Sequence, residues 1–111
     1  MTDAPKAKTL TPVEYLGQYS ADASKAFQDL RNAVIKAGPL DHHTCELIVL
    51  GAMVTAGTEG SFKTHARRLL KENVPPQALR QAVLVTFAAT TTFSGVSAGL
   101  RWVDDVVAEG N

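Results

Sequence analysis

Two segments of the chain carry side chains able to move protons. One is Leu40-Asp41-His42-His43-Thr44-Cys45-Glu46-Leu47-Ile48. The other follows a small, apolar run and reads Ala56-Gly57-Thr58-Glu59-Gly60-Ser61-Phe62-Lys63-Thr64-His65. Glu46 falls inside a helix that is otherwise apolar, His65 falls on the next helix, and the hydroxyls of Thr58 and Ser61 lie between them. A carboxyl and an imidazole brought together between apolar helices form an acid–base couple, because burial shifts the carboxyl's proton affinity and imidazole exchanges protons near neutral pH.

Each candidate has a structural alternative. Glu46 could be a buried carboxylate held by an Arg or His of another helix, and His65 a core histidine bonded to a carbonyl. Thr58 and Ser61 stand where a helix begins, so capping would account for one of them. Ser61 precedes His65 by four residues and shares its helix face, the arrangement an activated nucleophile needs. An acyl-transfer site also requires an oxyanion pocket, which a sequence does not display. Glu59 is an acid in a first helical turn, where the helix dipole favours it. His42, Glu46 and His65 have the composition of a two-histidine, one-carboxylate metal set. His42-His43 lies at the polar start of its helix and reads as a solvated pair, so no metal and no cofactor is expected.

The elements that must position these groups are helices. Thr11-Pro12-Val13-Glu14 is a helix start, with Thr as cap, Pro at the first position and Glu able to reach back; that helix runs to about Tyr19. A second, from about Ala21 to Ala37, places Ala23, Phe27, Leu30, Val34 and Ala37 on one stripe, and Gly38-Pro39 ends it. Asp41 caps a third helix to about Ala56, apolar all round through Leu47, Ile48, Val49, Leu50, Ala52, Met53 and Val54. Gly57 closes it. A fourth helix starts at Thr58 or Gly60 and ends near Asn73, before Val74-Pro75-Pro76. A fifth spans about Pro76 to Thr90, and a sixth opens at Ser94 or Ser97 and runs to about Ala108. No segment alternates as a strand would, so the expected fold class is all-α, about six helices in a single domain over residues 11–111, with residues 1–10 as a mobile arm.

Composition narrows the function classes. The chain has 111 residues, 45% of them apolar, with a formal net charge of zero. Basic residues are scattered apart from Arg67-Arg68-Lys71, which reads as a solvated face and not as a nucleic-acid site. No apolar run is long enough for a membrane span, and Met1-Thr2-Asp3-Ala4-Pro5-Lys6 has no secretory core. The single Cys45 excludes a disulfide within the chain and a cysteine-only metal site. A cytoplasmic protein is expected. Two helices apolar all round are hard to enclose in so small a chain, so their surplus faces are expected to pack against further copies of it.

In their order and spacing these residues resemble the carboxymuconolactone decarboxylase and alkylhydroperoxidase D-like superfamily. The resemblance rests on Leu40-Asp41-x-x-Thr44-x-Glu46-Leu47-Ile48, the small-residue helix to Ala56-Gly57, and His65-Ala66. Val74-Pro75-Pro76-Gln77-Ala78-Leu79-Arg80-Gln81-Ala82 and Phe93-Ser94-Gly95-Val96-Ser97-Ala98-Gly99-Leu100 extend it, with Ser97 where the family has proline, to roughly residues 25–108. It implies an all-helical subunit in homotrimers or homohexamers, with Glu46 and His65 as catalytic residues and Thr58, Glu59 and Ser61 against the substrate.

Two chemistries occur in that superfamily. Its peroxidases carry Cys-x-x-Cys-x-x-x-His, and the two cysteine positions fall here on Thr58 and Ser61. A hydroxyl cannot pass through sulfenic acid to a disulfide, and Cys45 occupies neither position, so dithiol peroxide reduction is disfavoured. The decarboxylase branch shows Gly-Arg-Glu-His-Glu-Leu-x-x-His. Gly57, Glu59 and His65 match it, while Thr58 replaces the arginine that would grip a carboxylate. The leading expectation is a decarboxylase-like lyase moving protons on a small organic acid or lactone. A non-catalytic, ligand-binding oligomer of the same fold is the alternative, and a residual peroxidase using Cys45 the third.

Overall fold

A computed structural model describes residues 10–110, so the arm expected over residues 1–10 lies, apart from Leu10, outside the described residues. The described residues form six helices and no strand: α1 (Pro12–Gly17), α2 (Ala21–Ile35), α3 (His42–Ala56), α4 (Glu59–Lys71), α5 (Pro76–Leu84) and α6 (Phe93–Glu109). None is long and apolar enough to cross a membrane. They fall into two units, one ending at Pro39 and the other running from Leu40.

The first unit is the pair α1 and α2. The Thr11 hydroxyl accepts from the Glu14 N–H at 3.1 Å, and Glu14 Oε1 accepts from the Thr11 N–H at 2.9 Å, completing a reciprocal cap. Ser20 caps α2, and Ser24, buried, donates from its hydroxyl to the Val13 carbonyl at 3.1 Å, tying the two helices together. The stripe expected on α2 is present but uncovered: Phe27, Leu30 and Val34 are all exposed.

The second unit holds α3 to α6 and the core. Leu50, Val54, Phe62, Ala66, Leu69, Leu79, Val83, Val103 and Val106 make up its interior. Asp41 caps α3 by accepting from the Thr44 N–H at 2.8 Å, and Gly57 ends the helix with φ +77°, a left-handed conformation suited to glycine. Thr58 precedes α4 without capping it; its hydroxyl donates to the Met53 carbonyl at 3.3 Å. α3 is less enclosed than its composition suggests. One stripe, Glu46, Leu50 and Val54, is fully buried, while Ile48 and Ala52 face out.

Two boundaries differ from expectation. α5 stops at Leu84, six residues before Thr90, and the chain continues in turns. The Thr86 hydroxyl donates to the Val83 carbonyl at 2.7 Å, and the Thr86 carbonyl accepts from the N–H groups of Ala89, Thr90 and Thr91. This local bonding competes with helix continuation, and the β-branched Thr90-Thr91-Thr92 run adds to it. α6 in turn opens at Phe93, capped by Thr92 through the Gly95 N–H at 3.0 Å and not by Ser94 or Ser97.

A Cβ on Gly99 would collide with Val54 Cγ2 and lie 3.0 Å from Val83 Cγ1, where α3, α5 and α6 meet. Gly99→Ala should therefore cost about 1–3 kcal/mol of stability, read as a lowered urea midpoint at unchanged slope. The Asp41 carboxyl is held below its ordinary range, first by its hydrogen bonds with Thr44. A lowered folded-state value means that stability present above the ordinary carboxylate range is lost as pH falls through the lowered one. Asp41→Asn keeps the cap without the titration, so wild type should lose stability relative to Asp41→Asn as pH drops from about 5 to about 2.

Candidate active site

α3 and α4 form an antiparallel hairpin about Gly57-Thr58, so residues roughly equidistant from that turn meet. Glu46, on the first turns of α3, thereby faces the second half of α4, and its stripe partners Leu50 and Val54 continue into the core. His65 lies among the buried residues of α4, with Phe62, Ala66 and Leu69. The hairpin brings His65 Nδ1 to 2.9 Å from Glu46 Oε1. Glu46 is wholly buried and His65 nearly so.

A carboxylate only accepts hydrogen bonds, so in the pair Nδ1 carries the hydrogen and donates it. This fixes the tautomer and orientation of the ring and leaves Nε2 as the nitrogen without the hydrogen. An imidazolium formed during reaction would be stabilised by the carboxylate beside it. The two expected catalytic residues are thus joined directly.

A third member was not expected. Arg68, assigned from sequence to a solvated face, donates from Nη1 to Glu46 Oε2 at 3.1 Å, and the same nitrogen lies 3.4 Å from His65 Nδ1. The guanidinium supplies the positive charge that a buried carboxylate requires and favours its ionised form. Two signals in the sequence point to it: Arg68 follows His65 by three residues, on the same helix face, and stands opposite Glu46 across the Gly57 turn. Its neighbour Arg67 points elsewhere, held by Glu109 through Nε at 2.7 Å and Nη2 at 2.9 Å.

His42 and His43 are half-exposed beside this cluster. His42 Nε2 is 3.7 Å from Glu46 Oε2 and 3.7 Å from Glu72 Oε1, and His43 Nε2 is 2.8 Å from Glu72 Oε1. The pair is therefore not simply solvated: Glu72, at the end of α4, anchors it. Among the described residues no group of His, Cys, Asp and Glu side chains is arranged to hold a metal ion.

The three expected substrate contacts separate. Ser61, half-buried, sits one turn ahead of His65 on α4. Thr58 is exposed and bonded to Met53. Glu59 is exposed and pairs with Lys63 Nζ at 2.9 Å; Lys63 also reaches Asp105 at 3.0 Å. These two carboxylates hold the Lys63 ammonium above its ordinary range, Glu59 contributing most.

Charge compensation by Arg68 carries a measurable consequence. Arg68→Ala removes a partner of a wholly buried carboxylate, but Arg68 itself is partly in water, so the loss should fall below that of a fully buried pair, at about 1–3 kcal/mol. Arg68→Lys, which keeps the charge, should recover part of it. Urea denaturation of the three proteins at pH 7 measures both.

Comparison with known proteins agrees with the helical arrangement. The sequence model of the carboxymuconolactone decarboxylase family matches residues 21–105, roughly three quarters of the chain. Comparisons with curated proteins and with solved structures gave no match. The matched span holds Glu46, His65 and Arg68 and runs from the start of α2 into α6. The chain belongs to the carboxymuconolactone decarboxylase family.

Proposed function

We propose that the protein is an acid–base enzyme of decarboxylase type acting on a small organic acid or lactone. The observation that carries this reading is the buried contact of 2.9 Å between His65 Nδ1 and Glu46 Oε1. His65 is the proton-transferring group through Nε2, and Glu46 orients it and balances the charge it acquires. In decarboxylation the bond between the substrate's α-carbon and its carboxylate breaks. The electron pair moves into a conjugated carbonyl as an enolate, and carbon dioxide leaves. Protonated His65 then delivers its Nε2 hydrogen to the carbon as the carbonyl re-forms, and a solvent proton restores the imidazolium. No cofactor is needed. Ser61, one turn ahead of His65, is the hydroxyl proposed to contact the substrate, with Thr58 and Glu59 beside it at the turn from α3 into α4.

Dithiol peroxide chemistry has no support, since Thr58 and Ser61 occupy the positions where it needs thiols. A ligand-binding oligomer without turnover is the second reading, favoured by the engagement of Thr58 with Met53 and of Glu59 with Lys63. In both readings the protein assembles with copies of itself, as a trimer or hexamer, in the cytoplasm. Support for assembly comes from an open apolar groove of about 630 Å³ between α3 and α5, lined by Leu47, Ile48, Ala52, Ala82, Val85 and Ala89. Ile48, Val85 and the adjacent Phe87 and Phe93 are exposed in the single chain.

Glu46→Gln should lower turnover of an unsaturated lactone acid by about 10²-fold or more, and His65→Ala should abolish it, with the sedimentation profile unchanged. Turnover at the wild-type rate in both variants would overturn the assignment. Ile48→Lys or Val85→Lys should shift the sedimentation coefficient toward that of the monomer; an unchanged coefficient would remove the groove from the assembly.

A further inference from the structure

We infer that a cleft between the ends of α4 and α6 and the start of α5 binds an anionic amphiphile, an aliphatic chain bearing a negatively charged head group. The cleft is open and holds about 540 Å³, within the range of small-molecule sites. Its floor is Leu70, Pro76, Val106 and Val107, and none of the described residues lining it is aromatic. Such a floor takes an alkyl chain, since it offers a planar ring no face to stack on. The cleft is separate from the Glu46–His65 couple. Arg67, Leu70 and Lys71 share one face of α4, while His65 and Arg68 meet Glu46 from the other.

Charge at the mouth selects the head group. Three of the four cations of α4 are engaged by carboxylates: Lys63 by Glu59 and Asp105, Arg67 by Glu109, and Arg68 by Glu46. The exposed Lys71 ammonium has no hydrogen bond or ion pair among the described residues. Arg67 and Glu109 both line the cleft and neutralise each other through two bonds, of 2.7 Å and 2.9 Å, that tie α4 to α6. Lys71 is thus the uncompensated charge on the lining, one helical turn beyond Arg67 and beside the apolar floor. An ammonium is a point charge without the planar fork of arginine, so it reads the charge of a head group and not a carboxylate's shape. A sulfate serves it as well.

Methyl NMR titration with octyl sulfate, octanoate and uncharged octyl glucoside, all kept monomeric, tests the site without requiring turnover. Both anions should shift the Leu70, Val106 and Val107 methyl resonances saturably, with dissociation constants below about 5 mM. Octyl glucoside should bind at least about threefold more weakly, and Lys71→Gln should weaken octyl sulfate about three- to tenfold. Lys71→Arg keeps the charge and should restore the affinity to within about twofold. Val107→Glu places an acid on the floor and should abolish anion binding, with the circular dichroism and sedimentation coefficient unchanged. Equal affinity for octyl glucoside, equal affinity in Lys71→Gln, no saturable shift, or shifts confined to Leu47, Ile48 and Val85 of the α3–α5 groove would each overturn the site. A lower sedimentation coefficient in Val107→Glu would overturn it as well, by showing this cleft to be an interface between copies.

Discussion

A carboxylate with no exposure to water organises the second unit. Moving Glu46 out of solvent is unfavourable unless its charge and both oxygens are satisfied, and α4 supplies His65 on Oε1 and Arg68 on Oε2, with His42 of α3 3.7 Å from Oε2. Among the described residues no buried side-chain nitrogen or oxygen lacks a hydrogen-bond partner. This constraint fixes the register of α3 against α4, because sliding one helix by a turn would separate the carboxylate from His65 and Arg68. The same contacts bear on the proposed chemistry, since a carboxylate held by a guanidinium orients an imidazole better than it donates a proton itself.

The surroundings serve that hairpin. Gly57 reverses the chain in a conformation that a side chain would strain, and the Thr58 hydroxyl satisfies a carbonyl at the end of α3. Beneath the couple, Leu50 and Val54 continue the Glu46 stripe into contact with α5 and α6, where Gly99 permits close approach. Away from the core, α3 and α5 present an apolar groove, and the threonine-rich turn after α5 closes one end of it through Thr55 Oγ1, 3.2 Å from Thr90 Oγ1 and 2.7 Å from Thr91 Oγ1. The polar couple and the apolar groove thus occupy different faces of α3.

Much of this was legible in the residue pattern. Helical spacing, caps and prolines gave the six helices, and the placement of Glu46 and His65 on successive helices gave the couple. Arg68 was read as solvated because it sits in a basic cluster, and charge clusters usually face water. Its spacing from His65 is legible in the sequence, but its contact with Glu46 exists only once α3 and α4 fold back on Gly57. The end of α5 was misplaced for a related reason: apolar content favoured a longer helix, while Thr86 captured backbone groups that a longer helix would have used. The engagement of Thr58 and Glu59 with Met53 and Lys63 likewise depends on side-chain direction, which spacing alone does not fix.

Glu46 holds the hydrogen of His65 on Nδ1, which leaves Nε2 free for the proposed proton transfer. Nitrogen-15 chemical shifts of the His65 ring, recorded at alkaline pH where the ring is neutral, test it most directly. The expected result is a protonated Nδ1, with its hydrogen shifted downfield by the bond to Glu46, and an unprotonated Nε2. A neutral ring carrying its hydrogen on Nε2 would contradict it.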